Sequence, residues 1–419
     1  MKIALNYVAQ AQQCRINELE QLCRICALMD VAGDLVHCLQ SERGSSNVLL
    51  ASKGVSFREK WIAFGANTDG ASGRLHCWLD INKRSDGMVS SSRFLMRLAL
   101  AIHGINDLPK LRQKILNQEI SAAESTGIYS SVVNALLALV FEAADIAVDP
   151  SVSKGLVALF HLMQGKEFSG LERATGARIC ASEKSDELLQ ALGNLIELQE
   201  HCIERFEDFS STDIVEQWLA MTKSMPMIEF EKMRRKLLSP KLVDESIHAD
   251  EWFSMCTRRI DAMHMVEKYL TNSLATKCDA LIREAHTQLN DQNTLLSALS
   301  NEQPNSPISL LVSNLPSGRK GDGVLIDKIG SNLSMEILDV LQSQSKQLSA
   351  MGDELLAVRA TIEERKVIER AKGMLMAHQG LSEEGAYSAM RDKAMSQNQK
   401  LIDVAKSILS LSEFLKLKH

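Results

Sequence analysis

ILDVLQSQSKQLSAMGDELLAVRATIEERKVIERAKGMLM, residues Ile337–Met376, carries its apolar side chains on a seven-residue beat: Ile337, Leu341, Leu348, Met351, Leu355, Val358 and Ile362. Steps of three and four alternate along one face, with Gln344 out of place. A stripe this narrow predicts a long helix that needs a partner helix to bury it. The beat dissolves into the basic segment ERKVIERAKGMLM (Glu364–Met376). Gly380 then closes the helix, and Ser382, followed by Glu383 and Glu384, predicts the start of another. Two short helical patterns follow. One presents Ala386, Tyr387, Met390 and Ala394; the other presents Leu401, Ile402, Val404, Ala405, Ile408, Leu409 and Leu411, with a turn at Ser396–Asn398 between them. The C-terminal end therefore reads as a coiled-coil helix (residues 333–360) feeding a compact three-helix bundle (358–419).

Working outward, residues Asn301–Gly330 hold Pro304, Pro307, Pro316, Gly318, Gly321 and Gly323, and the run NLPSGRKGDG cannot be regular helix. Residues 301–332 are the predicted linker. Upstream of it, residues 1–300 show helical periodicity and no convincing period-two strand. Gln12 to about Ser52 reads as one helix with the stripe Leu22, Ile25, Met29, Ala32, Val36, Leu39. Gly65–Gly87, rich in Gly, Ser, Asn and Asp, reads as a loop, with Leu75–Ile81 as an ordered candidate. Helical patterns follow at Arg93–His103, Asp107–Glu124 and Ile128–Val148, the last continuously apolar over Val132–Phe141. Asp149-Pro150 breaks it. Ser151–Gln164 is helical, Gly165–Ser169 reads as a corner, and Gly170–Cys180 resumes. Further helices are predicted at Ser185–Phe209, from Ser224-Met225-Pro226 to Ser239-Pro240, and at Ala249–Asn290. The class is all-α, packed as helical bundles.

Composition narrows the rest. The chain has 419 residues, enough for two to three domains. No apolar run approaches ~20 residues, so no membrane span is expected. MKIALNYVAQAQQ at the N-terminus lacks the long apolar core of a signal peptide. Nine Cys, an odd number scattered over a large chain, favour reduced thiols and a cytoplasmic setting. The net charge is −6, but between Leu356 and His419 eleven Lys/Arg face eight Asp/Glu, so this tail carries +3 and the remainder −9. A polyanion would bind at the tail.

Catalytic signatures are missing: no GxxxxGK[ST], no GxGxxG after a strand, no GxSxG and no HExxH. Cys23-x-x-Cys26 lies inside a helix with no second pair, so buried thiols are a better reading than zinc. Two features carry chemistry. Continuing the stripe Leu22–Leu39 by one step lands on Arg43. A guanidinium on a core-facing position is costly unless an anion meets it. For a lone arginine, snorkelling to solvent is the commoner outcome. The alternative is an anion receptor, because the planar fork of N–H donors matches flat oxyanions such as nitrate and nitrite. Clamping one small anion takes two arginines, and Arg234 or Arg235, between Phe230 and Leu237, is the candidate second side. In the tail, Lys366, Arg370 and Lys372 fall within two turns, Gly373 leaves the backbone open beside them, and Arg391 and Lys400 come from the neighbouring helices. That pattern suits RNA phosphates and a splayed loop base; a solvated helix salt-bridged by Glu363, Glu364 and Glu369 would give the same periodicity. A protein-interaction helix pair recruiting a partner through the heptad stripe is the alternative use of the tail.

RKVIERAKGMLM (Arg365–Met376), LSEEGAYSAMRDKAM (Leu381–Met395) and LIDVAKSIL (Leu401–Leu409), three blocks in order, closely resemble the ANTAR domain. LVHCLQSERGSS (Leu35–Ser46), LMQGKEFSGLERATG (Leu162–Gly176), MIEFEKMRRKL (Met227–Leu237) and EWFSMCTRRIDAM (Glu251–Met263) are similar to the NIT domain, a nitrate- and nitrite-sensing module. The combination looks like the NasR-type nitrate-responsive antiterminators of enteric bacteria. The resemblance implies two stacked helical bundles holding nitrate or nitrite with Arg43 and Arg234 or Arg235, and no cofactor. It also implies a tail that binds leader mRNA hairpins through Arg365, Lys366, Arg370, Lys372, Gly373, Arg391 and Lys400. A homodimer acting indirectly on transcribing RNA polymerase, and no enzymatic activity, complete the expectation. No βα alternation precedes the tail, so the phosphorylated receiver domain of many ANTAR proteins is not expected.

Overall fold

The computed structural model describes residues 2–55, 57–82, 91–180, 185–239, 248–301, 332–381, 383–397 and 399–416. Among them every regular element is a helix. In chain order these are α1 (Lys2–Ala51), α2 (Arg58–Asn82), α3 (Ser92–Asn106), α4 (Leu108–Leu116), α5 (Ala122–Ile146), α6 (Pro150–Cys180) and α7 (Asp186–Phe209). They continue with α8 (Thr212–Ser224), α9 (Met227–Leu238), α10 (Ala249–Asn301), α11 (Asn332–Gln379), α12 (Glu383–Gln397) and α13 (Leu401–Lys416). The all-α class is as the periodicity requires. Of the predicted linker, 301–332, residues 302–331 lie outside the described residues, as do the N-cap at Ser382 and the turn residue Asn398; Asn301 and Asn332 are the ends of α10 and α11.

The chain divides into two compact units. One comprises Met1–Glu20 with Cys278–Glu354; the other comprises Gln21–Lys277 with Leu355–His419. In the first, the start of α1 packs on the end of α10: Ile16, Leu19 and Ala285 are buried together with Leu281, Ile282 and Leu289 against them. Gln12 Nε2 donates to the Ala285 carbonyl at 3.0 Å.

The second unit holds both the body and the tail module, and its centre is α6. This helix packs against α5 and α7, and from Leu156 through Gly170 every residue is buried. A helix covered on all sides shows no single apolar stripe. The expected corner at Gly165–Ser169 is therefore absent, and α6 runs unbroken. Its glycines give clearance, not a turn. A Cβ on Gly165 would lie 3.3 Å from the Cys202 Cβ, and one on Gly176 would lie 2.3 Å from the indole nitrogen of Trp252.

The predicted loop at Gly65–Gly87 is also corrected: its first part is helix α2. Trp61, Gly65, Thr68, Ala71 and Leu75 form its buried face at steps of three and four. Small residues on that face let α2 lie close enough for Arg112 Nη2 to donate to the Gly65 carbonyl at 3.2 Å. Tertiary packing outweighs the weak helix propensity of glycine and asparagine. Asp107–Glu124 is likewise not one helix. Gln118 takes a left-handed φ of 56°, and Ser121 and Glu124 form a capping box that starts α5 afresh. Helix α8, with Ile214 and Trp218 buried, was not anticipated from the sequence.

Helix α5 has mean hydropathy 1.6 over its most apolar window and is long enough, by composition, to cross a membrane. Its apolar residues, among them Val133, Leu136 and Val140, are buried in the protein against α3 and α6. The heptad stripe of α11 is covered unevenly. Leu348 is 57 % exposed, whereas Val358 and Ile362 are buried. Gly380, at φ 65°, ends α11 as expected, and Ala371, Met390, Ala394, Val404 and Ala405 form the core of the tail module.

The clearance at Gly176 is testable. Helix propensity alone would favour alanine there by roughly 0.5–1 kcal/mol, but overpacking a buried indole costs about 1–3 kcal/mol. Gly176→Ala is expected to lower the thermal midpoint; an unchanged or raised midpoint would mean that Trp252 is free to move.

Candidate functional site

The fully covered helix α6 carries four charged side chains in its middle turns: Lys166, Glu167, Glu172 and Arg173, all buried. Charges out of water must be paired and hydrogen-bonded, and the helices packed on α6 supply the partners. The stripe on α1 is buried from Leu22 to Leu39 and delivers Arg43, 2 % exposed, into this seam. The guanidinium grips Glu167 with two nitrogens: Nη2 donates to Oε2 at 3.1 Å and Nη1 to Oε1. Nη1 also donates to Ser130 Oγ on α5 at 2.7 Å. Gln40 Nε2, one turn earlier on α1, donates to the same carboxylate at 2.9 Å.

One turn further along α6, Glu172 accepts from Arg234 Nε at 2.7 Å and Nη2 at 2.8 Å. Arg259 Nη1 donates to Gln199 Oε1 at 2.6 Å, and Gln199 Nε2 donates to Glu172 at 2.7 Å. Arg234 and Arg259 both lie over the Phe230 ring, at 4.5 and 5.1 Å from its centroid. Lys166 pairs with Glu267 of α10 at 2.5 Å.

Arg173 is different. It donates to Thr257 Oγ1 at 2.8 Å and to the Gln40 carbonyl at 3.3 Å, and sits over the Phe253 ring at 4.6 Å. No carboxylate ion pair is described for it. Burial, and after it the positive charge of Arg43, bring its pKa down to about 10, so it stays charged at neutral pH in a field that already repels it. The crossing of α1 and α6 is reciprocal: Arg43 Nη2 lies 2.7 Å from where a Cβ on Gly170 would be, and Arg173 Nη2 lies 2.6 Å from that of Gly44. The seam's buried groups comprise five bases (Arg43, Lys166, Arg173, Arg234, Arg259) and three acids (Glu167, Glu172, Glu267). A buried site with more bases than acids and planar donors suits a small anion.

Of the three arginines singled out in the sequence, Arg43 and Arg234 are buried on different carboxylates, and Arg235 is exposed on α9. Arg173 and Arg259 were not singled out. Their signal was present but indirect: Arg173 is one of four charges inside LMQGKEFSGLERATG, a helix whose other residues allow burial all round, and Arg259 lies among the apolar residues of EWFSMCTRRIDAM.

In the tail, Arg370, Gly373 and Lys400 are exposed. The other basic residues are held. Lys366 Nζ lies 2.8 Å from Asp145 at the end of α5, and Arg391 forms an ion pair with Glu197 of α7. Arg365 donates to Gln164 of α6 and lies over the Phe160 ring at 4.7 Å. Lys372 pairs with Glu369 of its own helix at 2.8 Å. Tyr387 packs on the buried cluster of Phe168, Leu195, Leu198 and Cys202. The tail's basic face is thus partly spent on acidic and apolar groups of the body.

A helical body with a buried, net-positive arginine seam, joined to a basic three-helix module, is the architecture of a sensor coupled to an effector. Comparison with known proteins specifies which. A family model for nitrate and nitrite sensing, NIT, matches residues 34–275, and the ANTAR domain model matches residues 357–409. The curated Nitrate regulatory protein of Klebsiella oxytoca is 30 % identical over 409 residues, spanning 97 % of this chain and 95 % of that protein. A solved structure of the NasR transcription antiterminator is similar with a TM-score of 0.61 at 28 % identity, covering 98 % of this chain and 99 % of the other. The chain belongs to the NIT family of nitrate- and nitrite-sensing proteins and ends in an ANTAR domain. It is a nitrate-responsive antitermination regulator.

Beside the seam, His37 and His264 stack with ring centroids 4.1 Å apart. Burial, then the charges of Lys166 and His264, push His37 down to about 3. Burial also opposes charge on His264, but its hydrogen bonds to Asp34 and Glu267 outweigh it and raise the pKa. The signs are opposite. His264 contributes stability that is full below about 6.5 and is lost as pH rises through its raised value; His37 contributes stability that is lost as pH falls below that point. Unfolding at a series of pH values should give a maximum near this range, and His264→Asn should flatten its alkaline side. An unchanged alkaline slope would remove His264 from this account.

Proposed function

We propose that the buried seam takes up nitrate or nitrite, and that this releases the tail's basic face for leader RNA hairpins. The observation that carries the reading is the pairing of the ANTAR basic residues with the sensor body. Lys366, Arg391 and Arg365 sit on Asp145, Glu197 and Gln164, groups that RNA phosphates would have to replace. In this arrangement the protein is RNA-poor by occlusion, and of the seven predicted contacts Arg370, Gly373 and Lys400 are exposed for a first contact. The anion would lie by Arg43 and Arg173, with Arg234 across the seam; Arg235, exposed, is the weakest of the expected ligands.

Both ends of the switch share elements. α5 bears Ser130 at the anion end and Asp145 at the tail end; α6 bears Glu167 and, three residues earlier, Gln164. A change in how these helices sit on α1 alters the docking surface directly. The anion shifts the equilibrium only by its differential affinity for the two arrangements. The protein works without a cofactor and without catalysis. It acts in the cytoplasm as a homodimer through the open part of the α11 stripe, and affects RNA polymerase through the transcript.

Calorimetric titration with nitrate should show binding to the wild type, loss of it in Arg43→Ala and Arg173→Ala, and little change in Arg235→Ala. Equal affinities in all four proteins would sink the site. For the tail, Glu197→Lys should raise affinity for leader RNA in the absence of nitrate by roughly two- to five-fold, the worth of one exposed ion pair. Unaltered nitrate-free RNA binding would argue against occlusion through α7.

A further inference from the structure

We propose that Glu167 is a built-in occupant of the anion cradle, an intramolecular stand-in that nitrate or nitrite must displace, and that it sets the concentration at which the sensor responds. This rests on the reading of Arg43 and Arg173 as the anion site.

The geometry leads there in three steps. First, the carboxylate of Glu167 has the donor set that a flat oxyanion requires: the two-pronged Arg43 guanidinium and the Gln40 side-chain amide. Carboxylate, nitrite and nitrate are all planar at the central atom and place two oxygens at nearly the same separation, so the same fork fits each. Secondly, the group is held out of water. Glu167 is 3 % exposed, and it occupies both terminal nitrogens of Arg43, the pair that an incoming flat oxyanion would use. Thirdly, the displaced group has a partner to turn to. The oxyanion adds one negative charge to the seam and Glu167 keeps its own, so two anions share two bases: the oxyanion takes the Arg43 fork beside Arg173, and the tethered carboxylate turns towards Arg173, which has no described carboxylate ion pair and already feels the charge of Glu167.

The consequence is quantitative. When a site is competent only in the fraction of molecules whose internal occupant has left, the apparent dissociation constant is the intrinsic one divided by that fraction. The occupant therefore keeps the receptor from responding to stray anions and moves its threshold upward. It also clips α1 to α6, so displacement loosens the same helix that holds Arg365 through Gln164.

The test uses the full-length protein and potassium nitrate, with calorimetry and thermal unfolding as readouts. Glu167→Gln keeps the shape but removes the charge, and should bind nitrate about ten-fold or more tightly, the gain expected if the cradle is occupied at least nine-tenths of the time. It should be less stable than wild type without nitrate, since Arg43 is then buried without its counter-charge, and should show the larger rise in midpoint on nitrate addition. The nitrate concentration for half-maximal RNA binding should fall by the same factor. Asp261→Asn controls for loss of charge alone: Asp261 is exposed and acts on Arg173 at a distance, so it should change affinity little. If Glu167→Gln does not fold, Glu167→Asp, with a carboxylate one methylene short of the fork, carries the same expectation. Equal or weaker nitrate binding by a folded Glu167 variant overturns the proposal, as does an equal gain in Asp261→Asn. A wild type that binds no nitrate at all overturns instead the site reading beneath it.

Discussion

Lys166, Glu167, Glu172 and Arg173 sit inside a helix covered on every side, and an ion left alone there would lose several kcal/mol of hydration with nothing in return. The neighbouring helices must therefore deliver partners at the right height: counter-charges for Lys166, Glu167 and Glu172, and a hydroxyl, a carbonyl and a ring for Arg173. α1 supplies Arg43 and Gln40, α9 supplies Arg234, and α10 supplies Arg259 and Glu267. These pairings fix how α1, α9 and α10 lie against α6 more tightly than apolar contact could, because a core of Leu, Met and Val tolerates small shifts that a two-pronged ion pair does not. Buried ion pairs are poor sources of net stability. Their presence at the centre of this body is better explained by recognition than by holding the fold.

The same constraint ties sensing to output. The body spends its polar interior on α6, and the tail docks on the elements flanking that interior: α5 through Asp145, α6 through Gln164 and Phe160, α7 through Glu197 and the patch under Tyr387. The docking contacts are mixed: Arg391–Glu197 is a partly exposed ion pair of small worth, Lys366–Asp145 is largely covered, and Tyr387 adds an apolar seat. The polar members are the ones that a change at the anion end can tip.

Glycine illustrates why sequence and fold part company in this chain. Gly165 suggests a corner when read as backbone punctuation, yet α6 is one helix through Gly165, Gly170 and Gly176, and each glycine marks a place where a side chain of another helix reaches the α6 backbone. The Gly- and Asn-rich stretch after residue 65 behaves similarly: α2 forms because small residues recur at steps of three and four against α1 and α4, and not because they favour helix. In both places local propensity was the weaker term. Where local chemistry is strong, as at the Ser121–Glu124 capping box, the signal was there to be used.

The sequence by itself determined the all-α class, the stripe of α1 that puts Arg43 on its apolar face, and the three-block tail with its helix ends at Gly380 and before Leu401. Those follow from periodicity and caps, which depend only on neighbours a few residues away. The tertiary structure alone decided that Arg173 and Arg259 join the seam, that Arg234 is buried while Arg235 is exposed, and that three of the tail's seven predicted RNA contacts are already engaged with acidic or amide groups of the body. Charge pairing of that kind links residues more than sixty positions apart, and a one-dimensional pattern records which residues are charged without recording which of them meet.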